Sequence, residues 1–126
     1  MKKIIFTILT LLLLAISTDG KAADDWFEWD RNNTLLHVPL TLVLALDMAQ
    51  TLDIKNHPEF YENNAILGGH PSDEEVYTYF ITSFVVISGL VLILPKNWSH
   101  GLQTGVIVIE VGVAANNYHM GIGIAF

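Results

Sequence analysis

The sequence contains no cysteine and few charged residues for its length. Of its 126 residues, 15% are charged and 52% are hydrophobic, whereas soluble domains carry about 25% charged residues. The lack of cysteine excludes a disulfide framework, a thiolate zinc site, an iron–sulfur cluster and a cysteine nucleophile. Basic residues are also scarce, and the net charge of −7 provides no electrostatic surface for nucleic acid. The composition disfavours a water-soluble globule, and the length allows one compact unit.

The first residues have the pattern of a secretory signal peptide. A basic start, Met1–Lys3, precedes the apolar run Ile4–Ile16, and the small residues Gly20 and Ala22 allow cleavage after Ala22. We expect residues 1–22 to be removed, with an uncleaved signal anchor as the alternative. Both interpretations put the next residue on the outer side of the membrane.

Three further apolar stretches are long enough, or nearly so, to cross a bilayer. They predict transmembrane helices over about residues 33–54, 73–94 and 100–119. The first begins at a cap formed by Asn32/Asn33. The second is the clearest, because Ser72 and Glu75 form a capping box and Pro95 ends the helix. We therefore predict an all-α membrane protein, a cleavable signal peptide followed by a three-helix transmembrane bundle in a single domain, 23–126.

Two carboxylates fall inside predicted spans, where charge is unfavourable. An ionised Asp47 or Glu110 near the bilayer centre costs on the order of 2.5–3.5 kcal/mol, so each needs a partner, water or a proton. One interpretation is a buried pocket, and the other is hydrogen bonding between helices with His37 or an asparagine amide as partner. The candidate polar site comprises Asp47, Gln50, Thr51, Glu62, Asn64, Glu110 and Asn117.

The last predicted span has two opposed faces. Gly101, Gly105 and Gly112 share one face, at a spacing that lets helices approach closely. Polar residues at seven-residue intervals, including Glu110, share the other: Gln103, Glu110 and Asn117. Two packing faces predict a helix with neighbours on both sides, in a tight bundle or a homo-oligomer.

The connection over residues 56–72 is too patterned for a plain linker. Its prolines and glycines fix turns and its aromatic residues supply apolar anchors. It could cover the mouth of the bundle, or it could be an ordered surface hairpin. His57, Glu62 and His70 are weak candidates for a metal site, since their spacings match no standard signature. We expect no metal and no cofactor.

The two topology signals disagree. The signal sequence puts the mature N-terminus on the periplasmic side of the bacterial inner membrane. By the positive-inside rule the predicted inner loop should be basic, yet it carries only Lys55, while Arg31 and Lys96 lie on the outer side. We follow the signal sequence, because the first hydrophobic segment usually dominates.

Several short motifs resemble those of a family of small bacterial polytopic membrane proteins whose activity is uncharacterised. The resemblance covers about residues 29–124, and its most specific part is the Glu-x-Asn-x-Ile-Leu-Gly-x-His-Pro-Ser string beginning at Glu62. The chain departs from the family at Ala65, where proline is frequent. The other matching residues are Asp47, Gln50, Thr51, His57, Pro58, Tyr79, Phe80, Glu110, Asn116, Asn117, Tyr118, Gly121 and Ile122. The resemblance implies which residues matter but no mechanism.

Three functions remain open. The first is a non-catalytic membrane protein that binds or stabilises another envelope component, and we favour it because no standard catalytic motif is present. The second is a membrane-embedded hydrolase or transferase acting on a lipid-linked substrate, with Asp47 and Glu110 as general acid and base. The third is an oligomeric proton or ion conduit lined by Gln103, Glu110 and Asn117.

Overall fold

The computed structural model describes residues 29–62 and 64–125. These residues form three α-helices and no strand, as the sequence predicted, so the described chain is all-helical. The predicted signal peptide lies outside the described residues. The elements are α1 (Arg31–Asp53), a 3-10 turn (Ile54–Asn56), α2 (Asp73–Ile93) and α3 (Lys96–His119).

Helix α1 begins two residues before the predicted start. Its N-cap is Asp30, whose Oδ1 accepts the backbone N–H of Asn33 at 2.7 Å. The prediction of a cap at Asn32/Asn33 is therefore wrong. Asp30 satisfies the first-turn donor. The Asn33 side chain is not used as the cap and lies in the interior, where it is fully buried.

Helix α2 begins and ends as the local sequence indicates. Ser72 accepts from the backbone of Glu75, and the Glu75 carboxylate accepts from the backbone of Ser72 at 2.8 Å, so the capping box is formed. The helix ends at Ile93, before Pro95. Helix α3 then starts directly at Lys96 rather than near residue 100, since the proline supplies a rigid, extended residue from which a new helix can start.

Contacts between helices fix their relative directions. His37, early in α1, lies beside Ser88, late in α2, and beside Gln103, early in α3. Gln50, late in α1, lies beside Asn117, late in α3. Helix α2 is therefore antiparallel to α1, and α3 is parallel to α1. Of the helix pairs, α1 and α3 pack most extensively.

The interior is small and the outer surface is apolar. Leu40 and Leu44 of α1 pack with Val76 and Phe80 of α2 in the buried core. Within the described residues, two helices are long and apolar enough to cross a membrane, α1 with its 3-10 turn and α2. Helix α3 is of similar length but does not share that apolarity, because polar residues line the side that faces α1.

The C-terminal end of α3 reverses through a left-handed glycine. Gly121 has φ 88°, its N–H donates to the carbonyl of Tyr118, and that of Ile122 donates to the carbonyl of Asn117, both at 3.0 Å. This is the Schellman arrangement that ends many helices. It directs the last described residues back to α1, where the Gly123 N–H donates to Asp53 at 2.8 Å.

Candidate functional site

Three carboxyl groups from three different parts of the chain meet at the second half of the α1–α3 interface. Asp47 of α1 and Glu110 of α3 are within hydrogen-bonding reach of each other, and Glu62, in the connection between α1 and α2, lies close enough to act on both electrostatically. We call Asp47, Glu62 and Glu110 the carboxyl cluster. The structure thus brings together the carboxylates that the sequence singled out.

Glu62 reaches the cluster because the connection folds over the end of α1. Its Oε2 accepts from the Thr51 hydroxyl at 3.3 Å, and its Oε1 accepts from the backbone N–H of Asn64 at 2.8 Å. Thr51 follows Asp47 by one helical turn, so the two side chains share a face. Asn64 contributes through its backbone, and its side chain accepts from the N–H of Ile66.

The remaining two predicted site residues form a buried amide pair next to the cluster. Gln50 donates to the carbonyl of Ala114 at 3.2 Å, and Asn117 donates to the Gln50 carbonyl oxygen at 3.3 Å. Asn117 follows Glu110 by seven residues, which returns it to the same face of α3. This pair holds the late parts of α1 and α3 together.

One carboxylate oxygen of the cluster stands out among the described residues. Glu110 Oε2 is buried and makes no hydrogen bond to the described residues. A hydrogen bond between two carboxyl groups requires a proton on one of them, because ionised carboxylates only accept. Chemically, the Asp47–Glu110 pair can hold a proton and release it, which is the property that both acid–base catalysis and proton transfer use.

The weak metal candidates do not converge. His57 lies 3.2 Å from Asp53 and 3.5 Å from Glu59, and the His70 ring packs on Tyr61 with ring centroids 4.6 Å apart. Glu62 is instead bound to Thr51 and Asn64. In residues 29–62 and 64–125, no group of three potential ligands is placed to hold a metal ion.

A second polar network lies at the first half of the same interface. Asn33 Oδ1 accepts from Ser99 at 2.7 Å and from the Gln103 amide at 3.0 Å. The Gln103 carbonyl oxygen then faces His37 Nδ1 at 3.1 Å, and Ser88 lies 3.1 Å from His37 Nε2. We call these five residues the His37 network.

The His37 network fixes the tautomer of the histidine. Because the Gln103 oxygen can only accept, Nδ1 carries the proton, and the Nε2 of the neutral ring accepts from the Ser88 hydroxyl. Asn33, Ser88 and Ser99 were not predicted from the sequence as interior residues. The available signal was their spacing, since Asn33 and His37, and likewise Ser99 and Gln103, are four residues apart on one helical face.

Outside the spans, the α1 cap makes a further contact with a histidine of α3. Asp30 lies 3.2 Å from the ring of His100 in α3. The pKa of Asp30 lies below its ordinary value, mainly because the carboxylate accepts a hydrogen bond from the backbone N–H of Asn33. The imidazole of His100 makes a smaller contribution in the same direction. Trp29 packs beside this cap, with its ring edge against His37 at a centroid distance of 5.2 Å.

The glycine face of α3 points away from the other two helices. A Cβ added at Gly101, Gly105 or Gly112 would meet no atom within 4 Å, and Val108 on the same face is 65% exposed. The opposite face carries Gln103, Glu110 and Asn117, all turned to α1. Within the described chain, α3 therefore packs on its polar face and leaves the glycine face open.

An open apolar groove of about 610 Å³ runs between α1 and α3 beside the C-terminal residues. Val43 and Leu46 of α1, Val111 and Tyr118 of α3, and Ile124 line it. Gln50 also borders the groove, but its amide is engaged with α3. The groove offers an apolar surface without a polar group placed for chemistry.

Comparison of the chain with models of known protein families, with curated proteins and with solved structures finds no match. The resemblance of the Glu62 string to small bacterial membrane proteins therefore stays a prediction.

Proposed function

We propose that the chain is a small integral protein of the bacterial inner membrane that binds another envelope protein through the glycine face of α3, in a non-catalytic role. The exposure of its apolar helices carries this proposal. In the most apolar 18-residue windows of α1 and α2, 33% and 17% of the residues are buried. A core helix of a soluble protein buries most of its residues, so a bilayer is the environment that suits these surfaces.

The open face of α3 supports the choice of partner. Gly101, Gly105, Val108 and Gly112 form a continuous, uncharged surface that no described side chain covers. Since lipid tails are as apolar as the helix, helices associate in bilayers by close backbone packing at small residues. The partner that fits this surface is an apolar transmembrane helix.

Site-specific photocrosslinking tests the proposal. A photoreactive residue in place of Val108 should give a covalent adduct with one membrane protein, identified by mass spectrometry. The adduct should be lost with Gly105→Leu, because a leucine side chain holds the partner backbone away. The matched control is Gly89→Leu in α2, where an added Cβ also meets no atom within 4 Å. This control should leave the adduct unchanged.

Reconstitution then decides between a specific partner and chance proximity. The identified protein and the purified chain should associate in lipid vesicles, and Gly105→Leu should weaken that association about tenfold or more. Adducts formed only with copies of the same chain would overturn the choice of partner. Adducts that persist in Gly105→Leu would overturn the choice of surface.

The carboxyl cluster supports a second candidate, a membrane-embedded hydrolase or transferase acting on a lipid-linked substrate. Asp47, Glu62 and Glu110 converge within one chain, as an acid–base site needs. Asp47→Asn and Glu110→Gln distinguish the roles by membrane accumulation and by complementation of a deletion strain. Normal accumulation with failed complementation would support catalysis, and lost accumulation would indicate a structural role.

No observation favours the conduit. Its proposed lining residues, Gln103, Glu110 and Asn117, face α1 of the same chain, so they are not presented to an axis between subunits.

A further inference from the structure

The connection between α1 and α2 is attached to the helices partly by an acidic side chain. We define the Glu62 turn by its described residues Tyr61, Glu62 and Asn64–Gly69. The Glu62 N–H donates to the carbonyl of Gly69 at 3.0 Å, which closes the turn. The Glu62 carboxylate accepts from Thr51 at 3.3 Å, and Leu67 packs against the core.

The charges around this attachment all have the same sign. The Glu62 carboxylate lies close enough to Asp47 of α1 and Glu110 of α3 for the charges to repel one another. Among the described residues no lysine, arginine or histidine pairs with the cluster. The basic side chains described near the end of α1 have other partners. Lys55 lies 2.7 Å from Asp73, and His57 pairs with Asp53 and Glu59.

Bound protons therefore allow the three carboxyl groups to lie close together, because they reduce the number of negative charges in the cluster. The contact between Asp47 and Glu110 requires a shared proton, and Glu110 Oε2 is buried without a donor. Loss of that proton adds a negative charge beside Glu62, in a partly desolvated place where charges repel more strongly than in water. Asp47 and Glu110 are fixed on packed helices, so Glu62 is the member of the cluster that can move away.

We propose that the carboxyl cluster acts as a proton-operated strap: with its protons bound, the Glu62 turn lies against α1 and α3, and when they are lost the turn is released. Release breaks the Thr51–Glu62 hydrogen bond and opens the Asp47–Glu110 pair to water. The proposal is independent of the partner-binding role, since it concerns a different face of the bundle.

Thiol labelling of the full chain in lipid nanodiscs tests the strap. The chain has no cysteine, so Leu67→Cys introduces a unique reporter at a half-buried position of the turn. Ala65→Cys, exposed in the same turn, corrects for the pH dependence of the thiol reaction. We expect the ratio of the Leu67→Cys rate to the Ala65→Cys rate to rise about tenfold between about pH 5 and pH 9.

Variants of the cluster identify the group responsible. Glu62→Gln keeps the shape and an acceptor for Thr51 but has no charge, so it should keep the ratio low at all pH values. Glu59→Gln is the matched control, an exposed glutamate of the same connection, and should titrate like the parent. His70→Gln, which removes one of the two histidines of the connection, should also show the pH dependence of the parent.

Amide hydrogen exchange at Gly68, whose N–H donates to the Asn64 carbonyl at 3.0 Å, provides a second measurement without the Leu67 substitution. Its protection should fall with rising pH in the parent chain and not in Glu62→Gln. A ratio and a protection that do not change with pH would overturn the proposal. So would a Glu62→Gln variant that keeps the pH dependence of the parent.

Discussion

Single polar residues inside this bundle are held by pairs of hydrogen bonds. Gln103 is the clearest case, since its amide donates to Asn33 and its oxygen faces His37. Its side chain is fully buried. Removing such a group leaves the donors and acceptors around it without partners. The free-energy cost of keeping an unpaired polar group away from water is usually larger than the net stabilisation from one hydrogen bond.

Gln103→Leu should lower the free energy of unfolding by about 1–3 kcal/mol, because the half-buried Nδ1–H of His37 loses its acceptor. Unfolding in mixed detergent micelles, followed by helical circular dichroism, measures the change. Thr104→Leu, at the exposed neighbouring position, is the control and should have little effect. Equal losses in the two variants would show that the His37 network contributes no specific stability.

The α1 cap should respond to acid. Because the pKa of Asp30 is lowered in the folded chain, its stabilising contribution is complete above the ordinary aspartate pKa of about 3.9. It is lost as the pH falls toward the lowered value. Asp30→Asn keeps a capping oxygen without the charge. The difference in unfolding midpoint between parent and Asp30→Asn should therefore stay constant above about pH 5 and shrink as the pH falls below about 4. A constant difference would contradict this.

At the scale of the helices, ends were predictable where the signal is local and contiguous. The capping box of Ser72 and Glu75 and the stop at Pro95 act within a few residues, and both were confirmed. The predicted start of α1 was wrong because three polar residues could each cap the helix: Asp30, Asn32 and Asn33. Their assignment depends on Ser99 and Gln103, which draw the Asn33 side chain inward from a distant helix.

The glycine that ends α3 gives a prediction at this scale. Gly121→Ala should lower the free energy of unfolding by about 1–2 kcal/mol, because φ of 88° is unfavourable for any residue with a Cβ. Gly89→Ala, in the interior of α2, should be neutral or stabilising by up to about 1 kcal/mol. The same detergent unfolding assay compares them. A neutral Gly121→Ala would mean that the C-terminal reversal contributes little to the fold.

In the whole molecule, the three helices alternate in direction. If all three cross a bilayer, the α1–α2 connection and the α2–α3 turn therefore lie on opposite sides of the membrane. The turn is only Leu94 and Pro95 long. The charge pattern and the signal sequence predict opposite orientations of these two connections.

Topology can be measured in spheroplasts with a membrane-impermeant thiol reagent. In the orientation we propose, Ala65→Cys in the α1–α2 connection is protected until the membrane is permeabilised. Asn97→Cys, at the start of α3, is labelled from outside at once. Both positions are exposed in the fold, so accessibility reports the side of the membrane. The reverse pattern would invert the orientation, and labelling of both in intact spheroplasts would exclude the three-span arrangement.

The sequence by itself determined the helical class, the apolar helices, the capping box and the two carboxylates that required an explanation. These follow from composition, from the helical period and from the unfavourable burial of charge, which are properties of single segments. Only the tertiary structure decided that Asp47 meets Glu110, that Glu62 is delivered by the connection, and that Asn33 joins the His37 network. Those contacts join residues 11 to 70 positions apart in the chain. They depend on how helices rotate against one another, which no single segment specifies.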